Sequence, residues 1–131
     1  MTKYKSQSIK NTFSNARKGL ILALISETNI RKHFALAFVV MFLGFFFKFD
    51  NTKLCVLLLT ISGVIGAEMI NSAIEYSLDA VFHNKYSKLV GMAKDIAAGA
   101  VMFTSVIALL IGILLFLPEL LKYIYNIIYI N

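Results

Sequence analysis

Residues Leu54–Asp79 read LCVLLLTISGVIGAEMINSAIEYSLD. The first half is a continuous apolar run. The second half carries Glu68, Asn71, Ser72, Glu75 and Asp79. At about 100° per residue, with Glu68 as zero, Asn71, Ser72, Glu75 and Asp79 fall at about 300°, 40°, 340° and 20°. Every polar side chain except Ser77 therefore shares one stripe. A carboxylate facing lipid at the centre of a span costs on the order of 3 kcal/mol, so the stripe faces protein or water. With a rise of about 1.5 Å per residue, Glu68 lies roughly 21 Å from Leu54 and Glu75 roughly 31 Å. In a hydrocarbon core about 30 Å thick, Glu68 then sits a few ångströms below one surface and Glu75 at the interface.

That depth weighs two kinds of function. An ion-coupled transporter places its carboxylates near the bilayer midplane. An enzyme acting on lipid headgroups places them where a membrane alcohol meets a soluble cosubstrate. The second placement fits better. A small ion-coupled transporter subunit, or a non-catalytic subunit of a membrane assembly, is the competing class.

The rest of the chain agrees with a membrane setting. Of its 131 residues, 59% are hydrophobic and 15% charged, against about 45–50% and 25% in ordinary globular chains. The length suits a single domain over residues 1–131. The net charge of +6 is spread between apolar segments and forms no basic patch, so no nucleic-acid partner is expected. Cys55, the one cysteine, lies in an apolar run and is read as a small buried hydrophobe. The opening MTKYKSQSIKNTFSNARKGL is polar and does not read as a cleavable signal.

Three spans are expected, in an all-α fold. The first covers about residues 31–48 around FALAFVVMFLGFFF, the second 54–80, and the third 95–117, ended by Pro118. FKFDNTK joins the first two, with Asp50 and Asn51 as turn residues. Ahead of the first span, Phe13, Leu20, Ile21 and Leu24 share one side of a helix over about residues 8–28, apart from Lys10, Arg17 and Lys18. This reads as an amphipathic surface helix. The tail over 118–131, ELLKYIYNIIYIN plus Pro118, is apolar with spaced tyrosines, as at an interfacial belt.

Lys and Arg set the orientation. Ten lie before Phe34 or between the second and third spans; three, Lys48, Lys53 and Lys122, lie on the other side. The rich side is expected to be cytoplasmic, so the acidic stripe faces the cytoplasm from a multi-pass protein of the cell membrane.

That rim gathers Glu27, Glu68, Glu75, Asp79 and Asp95 with Lys18, Arg31 and Lys94. Paired carboxylates are hard oxygen ligands suited to Mg²⁺ carrying nucleotide phosphates. A carboxylate held among apolar groups also accepts an alcohol proton more readily. A purely structural role, pairing with Lys and Arg to fix packing, competes for any single residue but less well for a one-sided run of four. There is no GxxxxGK[ST] phosphate loop and no kinase-type GxGxxG. No Cys/His cluster has zinc spacing; His33 and His83 stand in separate segments and read as headgroup-level residues. Gly63, Gly66 and Gly99 read as close-packing positions.

ExxNSAIExxxD from Glu68 to Asp79, followed by AKD at Ala93–Asp95, resembles the signature of the small prokaryotic integral-membrane diacylglycerol kinases. KGL at Lys18–Leu20 and Glu27 stand at that family's usual upstream distances, and the likeness covers about residues 13–117. FSNARKGL and KDIAAGAV are more similar to the Gram-positive branch, associated with phosphorylating undecaprenol rather than diacylglycerol. The resemblance implies a homotrimer of three-span subunits with shared active sites, using ATP and Mg²⁺. It implies Glu68 as general base toward a lipid hydroxyl, with Glu27 and Glu75 holding the metal and contacting the nucleotide. Lys94 and Asp95 would contact the nucleotide, together with Lys18 and with Asn15, which replaces an aromatic found in some members. Asn71 would orient base or substrate, with Asp79 and Arg31 in support. Two further departures are Ser8, where the other branch has an arginine near the headgroup, and a longer loop over Phe82–Leu89, which bears on nucleotide contacts at Lys85, Tyr86 and Ser87.

Overall fold

A computed structural model describes residues 9–83, 85 and 87–130; Ser8 and Tyr86 lie outside the described residues. Four helices account for nearly all of them: α1 Ile9–Ser26, α2 Thr28–Phe46, α3 Asn51–Phe82 and α4 Lys88–Ile130. Three of these, α2, α3 and α4, are long and apolar enough to cross a membrane. The all-α, three-span reading therefore holds, and the chain is a membrane protein. The central helix is α3, which packs against α4 and α2, while α1 rests against α2.

One residue separates α1 from α2. Glu27 has extended backbone (φ −104°, ψ 112°) at the N-cap of α2. The carbonyls that α1 leaves open at its end must find donors elsewhere. Arg31 supplies them, donating from Nη1 to Leu24 O (3.1 Å) and Ile25 O (2.7 Å), and from Nη2 to the Thr28 hydroxyl (2.9 Å). Ile30, fully buried, seals the inside of this corner. The helix of the first span thus starts at Thr28, three residues before the expected 31, with Arg31 spent on capping.

The α2–α3 turn is tight. Lys48 takes a left-handed conformation (φ 54°), and the Phe49 N–H donates to Gly44 O (3.0 Å). Phe49 is thereby folded back and buried. Gly44 leaves room for this: a Cβ there would stand 3.3 Å from a Leu57 methyl. Asp50 accepts from the Lys53 N–H at 2.9 Å and caps α3. Asn51, expected in the turn, is the first helical residue, since the Asp50 side chain satisfies the open donor and lets the helix begin at once.

At the other end, His83 closes α3 in a left-handed conformation (φ 51°), its N–H donating to Asp79 O. Ser87 then accepts from the Val90 N–H at 3.2 Å and starts α4. The helix that carries the expected third span consequently begins at Lys88, seven residues before 95.

Nor does α4 stop at Pro118, which lies inside a 43-residue helix. Proline removes one N–H bond and crowds the preceding turn, a cost of about 3 kcal/mol in a helix interior. Contacts on both sides of it hold the helix in line. Glu119 pairs with Lys53 Nζ at 2.5 Å. Phe116 lies against Phe49 (4.8 Å between centroids), and Tyr123 against Phe46 and Phe47 (5.8 and 6.1 Å). The tail therefore continues the helix of the third span.

Candidate active site

By length alone, α3 outruns the bilayer: 32 residues make about 48 Å at 1.5 Å per residue, against a hydrocarbon core of about 30 Å. The acidic stripe, Glu68 to Asp79, lies on its C-terminal half. Within the stripe, Glu68 and Ser72 are buried, at 6% and 8% exposure. These two are the only buried polar side chains among the described residues, so the stripe faces protein as its periodicity predicts.

Asn71 and Glu75, one turn apart, are joined: Asn71 Nδ2 donates to Glu75 Oε1 at 3.0 Å. Asn71 Oδ1 is buried and accepts from no described residue. A buried acceptor without a donor is costly, so a site with this feature suits a ligand that brings one. The Tyr76 hydroxyl donates to Glu27 Oε1. This short bond ties the α1–α2 corner to α3 beside Glu75, so Glu27 and Glu75 occupy the same end of the bundle. Tyr76 was not legible as a site residue. The available signal is its angle: at about 80° from Glu68 it borders the polar stripe and can reach the neighbouring helix.

Lys94 Nζ donates to Asp79 Oδ1 at 2.6 Å, closing the short turn between α3 and α4. Asp95 follows it on an exposed position. Arg31 is committed to the α1 carbonyls. Asn15 and Lys18 lie on exposed positions of α1, and among the described residues no ion pair joins Lys18 to the α3 carboxylates. Lys85 is exposed and Ser87 serves α4 as its cap. One chain thus gathers Glu27, Glu68, Asn71, Glu75 and Tyr76 on two adjoining elements, with Asp79 and Lys94 just beyond.

Among the described residues, no three His, Cys, Asp or Glu side chains stand close enough to hold a metal by themselves. The donors at the site are carboxylate and amide oxygens, without nitrogen or sulfur ligands. Such a set fits Mg²⁺, which is usually held by one or two carboxylates while phosphates and water fill the remaining positions.

Three helices long and apolar enough to cross a membrane, one of them carrying a partly buried acidic stripe, define an integral-membrane protein with polar groups gathered on one side of a span. Residues 14–116 match the prokaryotic diacylglycerol kinase family. The chain is 36% identical over 109 residues to an undecaprenol kinase of Bacillus subtilis (strain 168), covering 83% of this chain and 88% of that protein. It is 32% identical over 111 residues to a diacylglycerol kinase of Synechocystis sp., covering 85% of this chain and 63% of that protein. The chain belongs to the prokaryotic diacylglycerol kinase family and is a lipid kinase, a phosphotransferase with an alcohol group as acceptor. The transporter reading is thereby set aside.

Proposed function

We propose that this protein is an undecaprenol kinase, converting undecaprenol to undecaprenyl phosphate with ATP and Mg²⁺. The observation that carries the reading is the buried Glu68 one turn from an orphaned Asn71 oxygen on the C-terminal half of α3; the helical rise would put the pair near the depth of headgroup hydroxyls. The choice of lipid is supported by the undecaprenol kinase relative, which this chain covers almost from end to end. The excess of Lys and Arg on the acidic side supports a cytoplasmic site in the plasma membrane.

Phosphoryl transfer asks a protein mainly for positioning and charge neutralisation. The lipid oxygen attacks the γ-phosphorus of ATP, the bond to the ADP oxygen breaks, and the hydroxyl proton passes to Glu68. The Asn71 amide fixes Glu75 with its nitrogen, and its oxygen is left to accept from a donor other than the reacting hydroxyl, whose one proton goes to Glu68. Glu27 and Glu75 would hold Mg²⁺, which when bound neutralises charge on the β- and γ-phosphates. Lys94 and Asp95, with Lys18 and Asn15 on the surface helix, would contact the nucleotide. Asp79 would keep Lys94 in reach, and Arg31 would hold the corner that presents Glu27. The lipid's own tail fixes its hydroxyl at the right depth, so the bilayer supplies orientation that a soluble kinase builds from a cleft.

A homotrimer is part of the reading. An apolar groove of about 660 Å³ runs over α3 between α2 and α4, from His33 to Leu120, and its breadth supports closure by neighbouring subunits.

The deciding experiment is phosphate transfer from ATP by the purified protein, with undecaprenol and diacylglycerol side by side in detergent. Faster transfer to undecaprenol is expected. Transfer to diacylglycerol alone would replace the substrate, and transfer to neither would end the assignment.

The Tyr76 bond makes a second prediction. Tyr76→Phe leaves Glu27 without its donor and is expected to raise the Mg²⁺ concentration for half-maximal rate by about tenfold, the low end for lost outer-shell partners. Turnover at saturating Mg²⁺ should be retained. A loss of turnover at every Mg²⁺ concentration would place the hydroxyl's role elsewhere.

A further inference from the structure

The family match ends at residue 116, yet α4 runs on to Ile130. This extension leaves the bundle at the end opposite the carboxylates, level with the α2–α3 turn, as the Lys53–Glu119 pair and the Tyr123–Phe46 contact fix. Residues 121–129 are all exposed. From Glu119 to Ile130, eleven steps of about 1.5 Å would carry an apolar helix roughly 17 Å onward, and water is a poor solvent for it.

The pattern on that helix is ordered. With Glu119 at zero and about 100° per residue, Lys122 and Asn126 fall at about 300° and 340°, so the polar side chains share an arc of about 60°. Leu120, Leu121, Ile124, Ile127 and Ile128 occupy the opposite arc, between about 80° and 200°. Tyr123, Tyr125 and Tyr129 fall between the two, at about 40°, 240° and 280°, flanking the polar stripe on both sides. An aliphatic face opposite a narrow polar face, with tyrosines at both boundaries, is the arrangement of a helix in the lipid headgroup boundary.

The aliphatic arc continues a face of α4 already exposed through Leu110, Leu114 and Leu117, at 51%, 74% and 48%. Lys122, with its side chain 70% exposed, stands on the polar side, where its ammonium can reach lipid phosphates. In the straight helix the Glu119–Lys53 pair and the Tyr123 ring contacts hold the segment in line. Pro118, lacking an N–H for the preceding turn, is where it would tilt toward the membrane plane, keeping the Lys53 pair and giving up the Tyr123 contacts. We propose that residues 119–130 bind the bilayer surface of the leaflet opposite the active site, with the aliphatic face in acyl chains, Lys122 and Asn126 toward water, and Glu119 on Lys53.

The chain contains no tryptophan, so one introduced indole is a unique reporter. Ile128→Trp and Asn126→Trp place it on the aliphatic and polar faces of the full-length protein, in vesicles of phosphatidylcholine and phosphatidylglycerol. The Ile128→Trp emission should shift to shorter wavelength and lose most of its intensity when acyl chains brominated near the headgroup are used. The Asn126→Trp emission should stay at longer wavelength and be quenched by aqueous iodide. If both reporters are open to iodide and blind to brominated lipid, the segment stands in water and the proposal fails. If Ile128→Trp emits at short wavelength but is shielded from both quenchers, another copy of the chain covers the face, and the proposal fails equally. Should either variant not fold, Tyr125→Trp, an aromatic exchange on the boundary, reads the same depth.

Discussion

Glu68→Gln is expected to abolish phosphate transfer to undecaprenol while ATP binding stays close to that of the unaltered protein. The exchange keeps the shape of a side chain that is 6% exposed and packed on α3. It removes only the ability to take a proton. Positioned general bases contribute about 10²–10⁴-fold to rate, and turnover should fall by that factor. The check is turnover at saturating lipid and Mg-ATP, with nucleotide binding measured separately on the same preparation. An enzyme that retains its turnover would show that another group accepts the hydroxyl proton. One that loses turnover and nucleotide binding together would assign Glu68 to holding the phosphates.

Glu75→Gln should act on the other half of the reaction. Glu75 already accepts a hydrogen bond from Asn71, so the amide exchange perturbs that pair as well as removing a charge. The Mg²⁺ concentration for half-maximal rate should rise by at least roughly tenfold, since even outer-shell partners of a bound metal cost about 10–100-fold when lost. Turnover at very high Mg²⁺ should recover in part. The two variants thus separate along different axes, one in turnover and one in metal requirement. An unchanged Mg²⁺ requirement in Glu75→Gln would remove it from the metal site and leave Glu27 to find another partner.

The acidic end of α3 was legible because membrane helices obey two strong constraints at once. Polar groups must avoid lipid, and the helical period gathers them on one side when they do. Glu68, Asn71, Ser72, Glu75 and Asp79 follow both, and the burial of Glu68 and Ser72 agrees. The family resemblance rested on the same residues and is matched over 14–116. The helix ends were less legible, since caps depend on single side chains rather than on periodicity. Arg31 illustrates this. In sequence it is a cation near a carboxylate; in the fold its guanidinium fills the carbonyls of α1. Pro118 misleads in the opposite direction, because a proline normally ends a helix unless outside contacts hold it. Those contacts come from Lys53 and Phe49, more than sixty residues away in sequence. Tyr76 was invisible for a similar reason: its partner Glu27 is 49 residues distant. Asn15 and Lys18 remain expectations of the resemblance, on a helix that leans on α2 rather than on α3.

The corner at Glu27 couples two things usually kept apart. A carboxylate proposed to grip an ion stands on the single non-helical residue joining α1, expected to lie along the membrane surface, to α2, which is long and apolar enough to cross it. Any rocking of α1 would swing that carboxylate as a crank swings its pin. The packing and curvature of the surrounding leaflet would then set how firmly the ion is held, making the membrane's mechanical state an input to catalysis.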